Sequence, residues 1–246
     1  MSIALVRAPV NRVAYRISAL LLASGLFHLA VFAVDGGPWE GPVSWRKPVT
    51  FGLSFGLTLA SVVWVSSLLT MRARTRTALL GLFTTASVLE VALISLQAWR
   101  GVPSHFNVET TFDSTVTRLL AAGGGLIFIA VIGLTITALR RDAGLPPSMR
   151  LAIRIGFVTL LVALLFGAAM IAKGSNLLAQ GQVQTAYATA GTFKPAHAVA
   201  MHGVLLLPGL ARLLSFTTWD EDRRTRVIAL AGTGYALLVA AAAVLF

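Results

Sequence analysis

Residues 116–139 read VTRLLAAGGGLIFIAVIGLTITAL, and the 21 residues from Leu119 to Leu139 carry no charged side chain. At about 1.5 Å of rise per residue such a helix covers about 30 Å, the thickness of a bilayer's hydrocarbon core. The rest of the chain has the same character. Its 246 residues are 57% hydrophobic and 12% charged, with a mean hydropathy of +0.82, too few polar groups to cover a soluble globule.

Six further apolar runs of similar length flank this one, at 13–34, 49–70, 78–98, 151–172, 195–215 and 227–246. Turn-forming residues separate them: Asp35-Gly36-Gly37-Pro38, Gly144-Leu145-Pro146-Pro147, and Lys194-Pro195 with its proline at an expected first helical turn. The run at 13–34 follows Arg7, Arg12 and Arg16. It is longer than a secretory signal core and no small-x-small cleavage site follows, so it is expected to stay as a helix. The expectation is an all-α, polytopic membrane protein with seven transmembrane helices in one domain over residues 1–246. The connector at about 173–194, with Asn176, Gln180, Gln182, Gln184 and Thr185, reads as a polar lid or solvated loop.

The formal net charge is +11. Its basic residues sit in short clusters between apolar runs, the pattern of membrane topology, which speaks against a nucleic-acid partner. Fourteen of them (Arg7, Arg12, Arg16, Arg72, Arg74, Arg76, Arg140, Arg141, Arg150, Arg154, Arg212, Arg223, Arg224, Arg226) fall on one side. Arg46, Lys47, Arg100, Arg118, Lys173 and Lys194 fall on the other. The positive-inside rule then places the N-terminus in the cytoplasm and the C-terminus outside an inner (plasma) membrane. There is no cysteine, which excludes disulfides, thiolate metal sites and cysteine nucleophiles.

Ionisable groups inside a span are costly and call for an explanation. His28, Glu90 and His202 lie six to eight residues from the outer ends of three different spans, at depths of roughly 9–12 Å. His105 and His197 are on the same side, as are Arg46, Lys47, Gln97, Arg100 and Asn107. This predicts one outward-facing pocket. Its candidate metal ligands are His28, His202, His197 and Glu90, its candidate catalytic groups are Glu90 and His105, and Arg46, Lys47, Arg100 and Asn107 are candidates for holding a cofactor. Arg46 and Lys47 stand at a helix N-terminus, where the dipole disfavours cations, and so call for an anion: Glu40, a ligand carboxylate or a lipid phosphate. His197 and His202, five apart, are about 140° from each other around a helix and make a poor chelating pair. Gly123-Gly124-Gly125 permits close approach of a helix or a flat ligand. Glu109 and Asp113 precede or open a helix, where the dipole favours acids.

The stretches KPVTFGLS (47–54), LQAWRGVPSHFN (96–107) and the His197/His202 pair resemble a group of uncharacterised bacterial seven-span membrane proteins, and the resemblance implies no activity. Three functions fit these residues. One is a redox or hydrolytic enzyme assisted by Zn, Fe, Cu or haem b and acting on an apolar substrate. The others are a proton-coupled transporter, and a non-catalytic accessory protein that binds a lipid or quinone. A retinal protein needs a lysine within the last span, and 227–246 contains none.

Overall fold

The computed structural model describes residues 9–140, 144–189 and 191–245; Arg7, Arg141 and Phe246 lie outside them. The described residues form eight helices: α1 (Pro9–Asp35), α2 (Arg46–Ser67), α3 (Ala73–Trp99), α4 (Thr111–Leu139), α5 (Pro147–Ala179), α6 (Val183–Thr189), α7 (Lys194–Leu214) and α8 (Glu221–Leu245). All but α6 are long and apolar enough to cross a membrane, so the chain is a seven-span, multi-pass membrane protein compatible with a bilayer. No strand occurs among the described residues.

The polar connector expected at 173–194 is largely helical. Helix α5 continues through Lys173–Ala179 because extending an existing helix adds a hydrogen bond per residue without a new nucleation cost. It stops at Gly181, whose φ of +74° suits glycine, with Gly181 N–H donating to Leu178 O and Gln182 N–H to Leu177 O. Val183–Thr189 then forms the short α6.

Side chains are apolar on both sides of the helices: Leu59, Val62, Phe83, Leu134 and Phe157 fill the interior, while Leu20, Leu230 and Leu237 face outward. With lipid as apolar as leucine, helix association depends on close packing. Helices α1 and α2 show it best. A Cβ on Gly52 would stand 2.6 Å from Gly25 N, and one on Gly56 would stand 2.9 Å from both Leu22 N and Ser18 O. Ser18 Oγ donates to Gly56 O across this contact at 2.7 Å. Gly52 and Gly56 are four apart, the spacing that lines both up on one face.

Some of the clustered arginines satisfy helix ends. Buried Arg76 donates to Ser66 O and Leu69 O, both at 3.0 Å, at the C-terminus of α2. Arg154 does the same for α4 through Ala138 O, Leu139 O and Arg140 O. Cations there complement both the orphan carbonyls and the negative end of the dipole.

Candidate binding site at the Arg-poor end

The loop between α3 and α4 is fixed at both ends. Gly101, with φ +66°, turns the chain out of α3, its N–H donating to Ala98 O while Val102 N–H donates to Gln97 O. At the far end Thr110 caps α4: its Oγ1 accepts from Asp113 N at 3.0 Å and its hydroxyl donates to the Asp113 carboxylate at 2.6 Å. Buried Asp113 also accepts from Gln97 Nε2 at 2.9 Å and from the Arg100 guanidinium, which lies over the Phe112 ring and also bonds Gln97. Arg100 therefore ties α3 to α4; its charge is committed to Asp113, where the sequence had suggested a cofactor. Thr110→Val removes the cap and one donor to Asp113, and is expected to cost about 1 kcal/mol, read as a lower thermal midpoint.

Phe106 sits in the left-handed region at φ 60°, a strained conformation for a bulky residue. Its ring packs on α5 at Gly174, where a Cβ would stand 2.2 Å from the ring tip. This anchor draws its neighbours inward. Asn107 is fully buried: its Oδ1 accepts from Glu109 N–H, its carbonyl accepts from Thr117, and its amide nitrogen has no partner among the described residues. The His105 ring lies 6.1 Å from that of Phe51 and 6.2 Å from that of Phe106, with Nδ1 3.0 Å from Ser104 Oγ. Burial first, then the ammonium groups of Lys47 and Lys194, push His105 down to about 4. Its imidazole is therefore neutral at neutral pH.

Between this loop and residues 42–44 lies a narrow, partly open crevice without room for a separate water molecule. Ser44, Lys47 and Ser104 form its polar side, and Val43, Ile94, Ala98 and Val102 its apolar side. Ser44 is only 4% exposed, yet its hydroxyl has no hydrogen-bond partner among the described residues. Lys47, in the first turn of α2, donates to Pro42 O at 2.7 Å. Arg46 pairs with Glu40 at 3.0 Å, one of the anions expected there. Arg46, Lys47 and Lys194 all lie within electrostatic range of one another. Glu40 thus offsets Arg46 and, at longer range, Lys194, beside a helix N-terminus that adds positive potential of its own.

The four remaining sequence candidates lie in separate surroundings. His28 accepts from Trp99 Nε1–H at 3.1 Å through Nε2; indole only donates, so Nδ1 carries the proton and donates to Ser24 O at 2.7 Å. Both of its nitrogens are occupied, among the rings of Phe27, Trp45 and Trp99. Glu90 projects from α3 onto α4, beside Gly123 and hydrogen-bonded by the Gly124 backbone. His197 Nδ1 donates to Ala163 O on α5, and His202 Nδ1 to Ala198 O on its own helix. Among the described residues no three His, Asp or Glu groups gather closely enough to hold a metal ion, and the contacts of His28, Glu90 and His202 are with different neighbours: Trp99, Gly123 and Ala198. Equal depth leaves open which way a side chain points around its helix.

Trp99, Ser44 and Ser104 were not singled out by sequence. Trp99 at the end of a span carries the usual signal of an interfacial aromatic; the two serines carry none. No protein-family model, curated protein or solved structure matches the chain.

Proposed function

We propose that this membrane protein binds, at its Arg-poor end, the oxyanion head group of a membrane-resident amphiphile. Ser44, Lys47 and Ser104 would hold the head group, and Val43, Ile94, Ala98 and Val102 would flank the start of its tail. One observation carries the reading: among the described residues, an ammonium with no carboxylate partner and a buried hydroxyl with no hydrogen-bond partner line one crevice. A buried polar group left unpaired is costly, and an oxyanion satisfies both donors with charge-assisted bonds. Entry requires Lys47 to swing off the Pro42 carbonyl and widen the crevice.

A metal or haem centre finds less support, because His28 has no free nitrogen and His197 and His202 bond to different helices. In a plasma membrane oriented by its basic clusters, the crevice opens at the outer leaflet.

The test is binding of phosphatidylglycerol, and of a diacylglycerol with the same chains but no phosphate, to the full-length protein in neutral detergent, followed by native mass spectrometry. Phosphatidylglycerol is expected to bind at least about tenfold more tightly, the effect of roughly one charge-assisted bond. Equal affinity for the two lipids overturns the proposal.

A further inference from the structure

His105 reaches the crevice through Ser104, whose side chain both lines that space and stands 3.0 Å from the imidazole Nδ1. Lys47, also on the crevice wall, approaches His105 from α2, and Lys194 approaches from α7. Behind them lie Arg46 and its partner Glu40. Helix α5 presents Gly174 to the adjacent Phe106, and its Lys173 is bonded to Thr192. The charges facing the imidazole are thus predominantly positive, and one of them, Lys47, also lines the crevice.

Resting on the oxyanion reading of the crevice, we infer that His105 takes up one proton when the oxyanion settles beside Lys47, so that binding and protonation are coupled. The coupling has two parts. The incoming negative charge offsets the ammonium groups that add to burial in keeping the imidazole neutral. In the Nε2–H tautomer, where Nδ1 accepts from Ser104, protonation also turns Nδ1 into a donor, so Nδ1–H bonds the Ser104 oxygen and the Ser104 hydroxyl hydrogen is freed to point at the oxyanion. The proton comes from solvent, and no covalent bond is made or broken.

The sign follows by linkage. His105 is neutral when free down to pH of about 4 and gains proton affinity on binding, so binding tightens as pH falls from the bound-state value towards about 4 and levels off at both ends. Within that window the association constant changes by about tenfold per pH unit.

The experiment is calorimetric titration of the full-length protein in neutral detergent with dihexanoylphosphatidylglycerol, whose phosphodiester stays charged throughout. It is run from about pH 5 to 6.5, within the interval in which imidazoles titrate and with Lys47 still an ammonium, in two buffers with different heats of ionisation. The expected result is uptake of up to one proton per lipid bound, and a His105→Gln protein that still binds but with neither proton uptake nor pH slope. Binding without proton uptake by the unaltered protein overturns the inference and leaves the oxyanion reading standing, whether or not the variant folds. Absence of binding at every pH overturns both. In a parallel titration with the deacylated head group, proton-linked binding of equal strength supports the coupling and assigns the site to a free oxyanion.

Discussion

Replacing Lys47 with Met weakens phosphatidylglycerol binding by about 10- to 100-fold, the range expected when a hydrogen bond to a charged group worth about 1.5–3 kcal/mol is lost. Methionine keeps most of the length and the apolar stem, so the wall against Ile94 and Ala98 is retained. Only the ammonium and its bond to Pro42 O disappear. The control is Lys173→Met, which removes the same charge from α5, where the side chain bonds Thr192 and does not line the crevice. Both variants lower the net charge equally, so a general field effect weakens both alike and a contact at the crevice weakens only the first. Raised salt is expected to narrow the gap less than it would between surface charges, since partly buried pairs are screened weakly. Equal losses in the two variants count against Lys47 as the head-group contact.

Gly52→Ile is expected to destabilise the protein more than any substitution at the crevice. Its Cβ alone would stand 2.6 Å from Gly25 N and 2.7 Å from Gly25 Cα, and backbone cannot rotate aside as a side chain can. The helices must part, stretching the Ser18 to Gly56 bond and opening the seam on both sides of it. Overpacking a tight interior costs about 1–3 kcal/mol where side chains can adjust, and a backbone contact should lie at or above the top of that range. Gly125→Ala, by contrast, meets nothing within 4 Å and should leave the thermal midpoint near that of the unaltered protein. Thermal unfolding of both variants in the same detergent checks the pair. A Gly52→Ile protein as stable as the Gly125→Ala one would mean that α1 and α2 do not pack as described.

That contrast also marks how far the sequence could be read. All seven spans were legible, because twenty apolar residues between polar turns leave a helix little alternative in lipid. Gly123-Gly124-Gly125 stands out in the sequence, yet only at Gly123 would a Cβ meet a neighbour, the Glu90 carboxyl; the seam that matters runs through Gly52 and Gly56, separated by Leu53, Ser54 and Phe55. A triplet is conspicuous, whereas a face depends on which helix lies opposite. The same limit governed the site. Glu40 as a partner for Arg46 followed from the helix dipole, a local rule. The convergence of His28, Glu90 and His202 needed azimuths as well as depths, and Trp99 takes up His28 before any ligand could. Ser44 and Ser104 became visible only once two loops distant in sequence were seen to face each other.

Helix α5 has 33 residues and so reaches about 50 Å, well beyond a hydrocarbon layer about 30 Å thick. Its polar last turns carry Gly174 under Phe106, and the half-exposed rings of Phe27 and Trp99 stack on each other. An amphiphile held as proposed is expected to arrive from the leaflet in which its tail already lies. Occupancy should then track the mole fraction of the amphiphile in the membrane, and diluting the surrounding bulk lipid, more than diluting the buffer, will fill or empty the site.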